Sequence, residues 1–360
     1  MELALPLAVL VALGATLTAP TAEAGPLTTA HTAGRVTSTD QAVRYTWPGI
    51  SFEGRFRGTG VGIALNDSAN DYDVQVDGKT VATLVTPGRT TSWVRGLSSA
   101  THTVRLVKRT ESPWAEGEFD GFVADAGGVL LAPPQARRRQ VEFIGDSFTA
   151  GYGNTSTTRD CSTNGGVDRH TNADLSFGAL TARGFGADYQ ITAQSGLGVV
   201  RNYGGGNPDV DFRTFYDRAS QNGGTWPVPR TWHPQVVVVG LGINDFSTPV
   251  DAGERWTPET LVTAYKAAYH GFLDKLRARY GASTTIVVSA TPAGSTTTFP
   301  DTARRIVEER YAAGDSRVHY WYYDDPRLDH LGCDWHPSLN DHRVMSELLT
   351  ARLAQVAVRW

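Results

Sequence analysis

Val141-Glu142-Phe143-Ile144-Gly145-Asp146-Ser147-Phe148-Thr149-Ala150-Gly151-Tyr152-Gly153 runs from an apolar stretch straight into small turn residues. The alternating apolar positions and Phe143 predict a short strand. Gly145 lets the backbone turn sharply, so that the Ser147 hydroxyl projects from the strand's carboxyl end, the end at which open α/β sheets bind ligands. Gly, Asp and Ser are also ordinary turn formers, so the tripeptide alone decides little. Three further segments follow in order: Ser195-Gly196-Leu197-Gly198, then a second buried strand from Val236 to Val239 entering Gly240-Leu241-Gly242-Ile243-Asn244-Asp245, then Cys333-Asp334-Trp335-His336-Pro337.

Each segment supplies a part that acyl transfer requires. A serine hydroxyl attacks only when a base takes its proton, and the tetrahedral oxyanion needs fixed donors aimed at it. Ser147 is the candidate nucleophile and His336 the candidate base. The candidate oxyanion donors are the Ser147 and Gly196 backbone N–H groups and the Asn244 side-chain amide; glycine admits close approach because it has no Cβ. His330 and His342 compete with His336. Its position favours His336: Ser338 and Asp341 form a capping-box pattern, and Val344, Leu348 and Val356 mark an apolar helix face, so His336 falls on the loop before the last helix. Asp146 and Asp245 read as local hydrogen-bonding residues.

The ordered set Gly-Asp-Ser, Gly, Gly-x-Asn-Asp and late His resembles the SGNH (GDSL) hydrolase superfamily. Trp47-Pro48-Gly49, Lys108-Arg109-Thr110-Glu111-Ser112, Gly151-Tyr152-Gly153-Asn154, Ser195 to Gly198 with Arg201-Asn202-Tyr203, and the Cys333 to Pro337 block together resemble carbohydrate esterase family two, over residues 34–360. That resemblance implies a secreted deacetylase of O-acetylated plant polysaccharides such as xylan or glucomannan. Most relatives in the wider superfamily carry Asp three residues before the catalytic His. Cys333 occupies that position, and the nearest carboxylate is Asp334. Either Asp334 reaches Nδ1 of His336, or a backbone carbonyl, that of Trp335 being the candidate, holds the ring. The family includes members that work as a Ser-His dyad with such a carbonyl, and the dyad is the expectation.

The chain's texture changes near residue 135. Before it, apolar residues alternate: Ile50, Phe52, Phe56; Val61, Ile63, Leu65; Val74, Val76 before the hairpin signal Asp77-Gly78, then Val81; and Val104, Leu106. Several short strands with regular turns predict a β-sandwich over residues 30–133, which the resemblance makes jelly-roll in type. Residues 134–140, with Arg137-Arg138-Arg139, read as a solvated linker. From 141 to 360 strands alternate with helical patterns, as at Leu261, Tyr265, Ala268, Phe272 and Leu276 after the Thr257-Pro258-Glu259 cap. This predicts an α/β class domain, a parallel sheet in a three-layer α/β/α arrangement. The sandwich is either an independent carbohydrate-binding module or a structural partner packed on the hydrolase domain; the short linker favours the partner. Trp47, Trp93 and Trp114 are candidates for stacking on sugars, with core packing the plainer reading.

Residues Leu3 to Thr21 carry no charge, and Ala22-Glu23-Ala24 before Gly25 fits a cleavage site, so residues 1–24 read as a signal peptide, although Glu2 stands where a basic residue is usual. A membrane anchor is the alternative, weakened by Pro6, Gly14 and Pro20. The formal net charge of −4 argues against a nucleic-acid partner. Two cysteines, Cys161 and Cys333, are too few for a zinc cluster and suit a disulfide in an exported protein. Gly204-Gly205-Gly206 lacks the ending of a phosphate loop, and no metal or other cofactor is expected. The competing readings are a lipase-like or aryl esterase of the same superfamily, and a non-catalytic carbohydrate-binding protein.

Overall fold

A computed structural model describes residues 25–163 and 165–360. The signal-peptide expectation for 1–24 lies outside the described residues.

From Ala30 to Leu130 the described elements are strands, paired antiparallel. The sequence pattern suggests separate short strands around Phe52 and Ile63. The structure corrects this: Ser51–Asp67 is one strand of 17 residues, paired along its length with Gly88–Lys108, of 21 residues. The register shifts between Gly58 and Gly60, and such a bulge reverses which parity faces inward. Phe52 and Phe56 before it, and Val61, Ile63 and Leu65 after it, therefore enter the same core with Tyr45, Trp47, Tyr72, Leu106 and Phe119. The change of parity is what made one strand look like two. At Asp77-Gly78 both residues have positive φ, 50° and 78°, and join two antiparallel strands, Asp71–Val76 and Lys79–Val85.

The second half holds five parallel strands in the spatial order Asp188–Ala193, Gln140–Gly145, Val236–Gly240, Thr285–Ala290, Val318–Tyr322. Val237, Val239, Ile286 and Val288 pack with residues of the helices Pro258–Tyr280 and Thr298–Ala312. Val141, Phe143, Val236, Val238 and Val287 pack with Phe177–Gly184 and Leu339–Gln355. Burial on both faces is why Val236 to Val239 reads as an unbroken valine run rather than an alternation. The Gln140–Gly145 strand lies between its two partners, and Gly145 pairs with both Ala193 and Gly240. Three strand ends are thus level, at the point where the strand order reverses, and the three motifs that follow them converge.

The two halves are fastened by buried polar contacts. Arg35 donates to Glu142 at 2.7 Å with both side chains buried, and its guanidinium lies 4.1 Å from the Trp226 ring centroid. Removing one partner of such a pair costs about 3–5 kcal/mol, because a buried charge is left alone. Asn172 Nδ2 donates to Asp73 at 2.9 Å, and Arg105 pairs with Asp174 at 2.9 Å. The segment read as a solvated linker is also tied down. Arg137 bridges Asp188 and Glu53, and Arg139 donates to the Phe185 carbonyl. Its last residue, Gln140, already belongs to the first parallel strand. Trp47 is core, at 1% exposure, whereas Trp93 and Trp114 are exposed.

Candidate active site

Ser147 opens a one-turn helix, Ser147–Ala150, directly after the Gln140–Gly145 strand. Gly145 has no room for a side chain: a Cβ there would sit 2.1 Å from Thr149 Oγ1. Asp146 caps the turn, its Oδ1 accepting from Phe148 N at 3.1 Å, while its buried Oδ2 has no partner. Burial pushes its carboxyl up to about 8, so Asp146 is a neutral cap at pH 7.

Ser147 Oγ lies 2.9 Å from His336 Nε2. On the far side of the ring, Nδ1 faces the carbonyl oxygens of Cys333 at 2.9 Å and Asp334 at 3.2 Å. Carbonyls only accept, so Nδ1 carries the hydrogen; in the neutral ring Nε2 is then free to accept from the serine hydroxyl. The Trp335 carbonyl, expected in this place, is replaced by those of the two residues before it. Asp334 and Trp335 both have left-handed backbones, φ 51° and 66°, a conformation that costs roughly 1–2 kcal/mol for each such residue. The surroundings enforce it. Cys333 is disulfide-bonded to Cys161, and Cys333 N and Asp334 N donate to the carbonyls of Gly153 and Arg159. The Arg159 guanidinium lies 3.6 Å from the Trp335 ring centroid. Gly153 must be glycine here, since a Cβ would sit 2.3 Å from that of Cys333.

The Asp334 carboxylate is turned away from the ring and accepts from the Tyr152 hydroxyl at 2.9 Å. Tyr152 packs against His336, with ring centroids 4.2 Å apart. Burial pushes the His336 pKa down, and the Cys333 and Asp334 carbonyls oppose that shift. His342 is buried and accepts from Phe177 N, its pKa driven by burial to about 3. The backbone N–H of His330 donates to Asp341.

Gly196 follows the Asp188–Ala193 strand with φ 78°, and Asn244 lies in the turn Ile243–Phe246 after Val236–Gly240. One Asn244 N–H donates to the Leu197 carbonyl at 2.9 Å, which orients the amide. Asp245 accepts from the backbone N–H groups of Val199, Val200 and Arg201 at 2.8–3.0 Å. Burial raises its pKa to about 6, and those three bonds oppose the rise. Ser147, Gly196, Asn244 and His336 line one cleft of about 630 Å³, together with Tyr152, Tyr203 and Trp335. Such a set can supply a hydroxyl, a base and convergent donors. Among the described residues, no group of three or more His, Cys, Asp or Glu side chains is placed to hold a metal.

One contributor escaped the reading of the sequence. Glu111, from the β half, is buried, and its carboxylate accepts from Ser195 N at 2.6 Å and from the Ser195 hydroxyl. The only sequence signal is a charged pentapeptide, Lys108 to Ser112, directly after the apolar strand end Leu106-Val107.

Residues 32–134 match the family model for the carbohydrate esterase 2 N-terminal region, and residues 143–344 match that of the GDSL-like lipase/acylhydrolase family. The chain is 38% identical over 336 residues to an acetylxylan esterase/glucomannan deacetylase of Cellvibrio japonicus, covering 92% of each. It superposes with TM-score 0.83 on a solved carbohydrate esterase described as having divergent catalytic and non-catalytic binding functions, at 37% identity over 91% of this chain and 97% of the other. A family two carbohydrate esterase from Clostridium thermocellum, solved with cellohexaose, gives TM-score 0.80 at 30% identity over 91% and 98%. With its β half and its α/β half both matched, the chain belongs to carbohydrate esterase family 2 and is a carboxylic ester hydrolase.

Proposed function

We propose that this protein is a secreted serine esterase that removes O-acetyl groups from plant cell-wall polysaccharides, acetylated xylan or glucomannan, through an acetyl-enzyme on Ser147. The observation that carries the reading is the 2.9 Å contact between Ser147 Oγ and His336 Nε2, on a ring whose Nδ1 faces only acceptors. Ser147 Oγ attacks the acetyl carbonyl carbon as its proton passes to Nε2. The oxyanion takes hydrogen bonds from the Ser147 and Gly196 N–H groups and from the second Asn244 N–H. Collapse breaks the bond to the sugar oxygen, which leaves with the proton from Nε2. Water, deprotonated by the same nitrogen, then attacks the acetyl-enzyme; acetate departs and Ser147 recovers its proton.

Trp335 and Tyr203, 67% and 62% exposed at the cleft, offer ring faces for sugar units. Export agrees with the Cys161–Cys333 bond, since disulfides persist in oxidising compartments. We divide the chain into a signal peptide at 1–24, a jelly-roll sandwich at 30–133, a linker at 134–140 whose last residue, Gln140, opens the first parallel strand, and a three-layer α/β/α hydrolase domain at 141–360. The β domain is a structural partner of the hydrolase domain in this reading.

The test is acetate release from acetylated xylan and glucomannan, compared with hydrolysis of long-chain acyl esters. Faster turnover of the acetylated polysaccharides supports the proposal. A preference for long chains would overturn it in favour of a lipase-like esterase.

A further inference from the structure

We infer that Glu111, carried by the N-terminal β domain, is a positioning residue for the oxyanion site: its carboxylate clamps Ser195 and thereby sets the direction of the Gly196 N–H. The inference rests on the proposed role of Gly196.

Glu111 Oε1 accepts from Ser195 N at 2.6 Å while Oε2 accepts from the Ser195 hydroxyl. Both bonds hold the residue immediately before Gly196, whose own N–H belongs to the peptide joining the two. Gly196 has φ 78°, and no atom lies within 4 Å of where its Cβ would be. Packing on that side of the glycine therefore does not fix the peptide. On the far side the Gly196 carbonyl accepts from Tyr203 N, and the next residue's carbonyl is held by Asn244. The clamp supplies the restraint on the near side.

The clamp is itself anchored. Lys108 Nζ donates to the Thr110 carbonyl at 2.6 Å, and Thr110 Oγ1 donates to Asn70 at 2.8 Å. Arg109 N donates to the Asp71 carbonyl, and the Arg109 carbonyl accepts from Ala173 N in the hydrolase domain. A carboxylate and an ammonium, both buried, are costly to keep without partners. Burial raises the Glu111 pKa, opposed first by the two Ser195 hydrogen bonds and then by Lys108; burial lowers that of Lys108 to about 8, opposed first by Asp67 and then by Glu111. Preorganised donors stabilise an oxyanion only while they are held in place.

The experiment compares Glu111→Asp and Glu111→Gln with the unaltered protein on a small acetate ester, with kcat expressed per Ser147 titrated by a phosphonate, so that unfolded protein is not counted. Aspartate keeps the charge but withdraws the carboxylate by one carbon–carbon bond, about 1.5 Å. Glutamine keeps the reach, accepting from Ser195 N and donating to Ser195 Oγ. Glu111→Asp should lower kcat about 10- to 100-fold, the scale of a displacement near 1 Å, with KM within about twofold. Glu111→Gln should recover to within about threefold of the unaltered kcat. An unchanged kcat per titrated site in Glu111→Asp, or Glu111→Gln no better than Glu111→Asp, overturns the positioning role. Asn244→Ala normalised in the same way, and Ser147→Ala normalised to protein shown folded by circular dichroism, report on the underlying reading separately. If both are impaired while Glu111→Asp is not, only the positioning role falls; if both stay active, the oxyanion reading itself has failed.

Discussion

The carbonyl oxygen of Cys333 sits 2.9 Å from Nδ1 of His336, the side on which a triad would place a carboxylate. The nearest carboxylate in sequence, on Asp334, is occupied with the Tyr152 hydroxyl. Asp334→Asn should therefore cost less than about tenfold in kcat, against about 10⁴ for removing a triad carboxylate. Steady-state kinetics, with folding checked by circular dichroism, decides between the two.

The same geometry has a consequence for pH dependence. Burial holds the His336 pKa below its ordinary value, and the opposing pull of the Cys333 and Asp334 carbonyls and, after them, the Asp334 charge does not restore it. A base must be unprotonated, so activity rises with pH through the His336 pKa. The acid limb of kcat/KM should have its midpoint below about 6.5, the ordinary histidine value. A midpoint above 7 would mean that a negative charge faces the ring.

Asn244 is one of three proposed oxyanion donors. Asn244→Ala should lower kcat by about 10²–10³ with little change in KM. An effect confined to KM would make it a substrate-binding residue instead.

Cys161 and Cys333 join the loop that follows Ser147 to the loop that carries His336. Replacing both with serine should cost about 2–5 kcal/mol of stability. The loss should appear in denaturant unfolding and be accompanied by a lower kcat, because the left-handed turn that aims the two carbonyls loses its tether. Unaltered unfolding would show that the bond does not contribute to stability.

Asp146 is protonated in the fold at neutral pH and ionised in the unfolded chain, since its folded pKa of about 8 exceeds the ordinary Asp value. Its contribution is full below the unfolded pKa near 4 and declines as pH rises towards 8, because the folded state then binds the extra proton. Asp146→Asn mimics the protonated cap. It should flatten that decline in a series of melting curves while keeping the Phe148 N–H bond. A decline of the same size in the variant would place its origin in another group.

Ser147 and Asn244 were legible because each follows an apolar run that ends in glycine, His336 because it precedes a capped helix, and Gly196 through its place in the ordered set of motifs; parallel strands bring such ends together. The group facing Nδ1 was less legible. Which carbonyl faces the ring depends on the left-handed φ of Asp334 and Trp335, and neither residue type announces it; the disulfide and the Arg159 carbonyl impose it. In the β half, a bulge at Gly58–Gly60 reversed the inward parity and hid the continuity of a single strand. The Glu111 motif announces no task of its own, because its partner Ser195 is 84 residues away in the chain and meets it only across the domain boundary.

Ser147 is the proposed nucleophile, and every proposed step of the reaction depends on it. Acetate release from acetylated xylan by Ser147→Ala, with its fold checked by circular dichroism, measures this most directly. A fall of several orders of magnitude, toward the roughly 10⁶ known for removing a catalytic serine, is the predicted result. Turnover within about tenfold of the unaltered protein would contradict it.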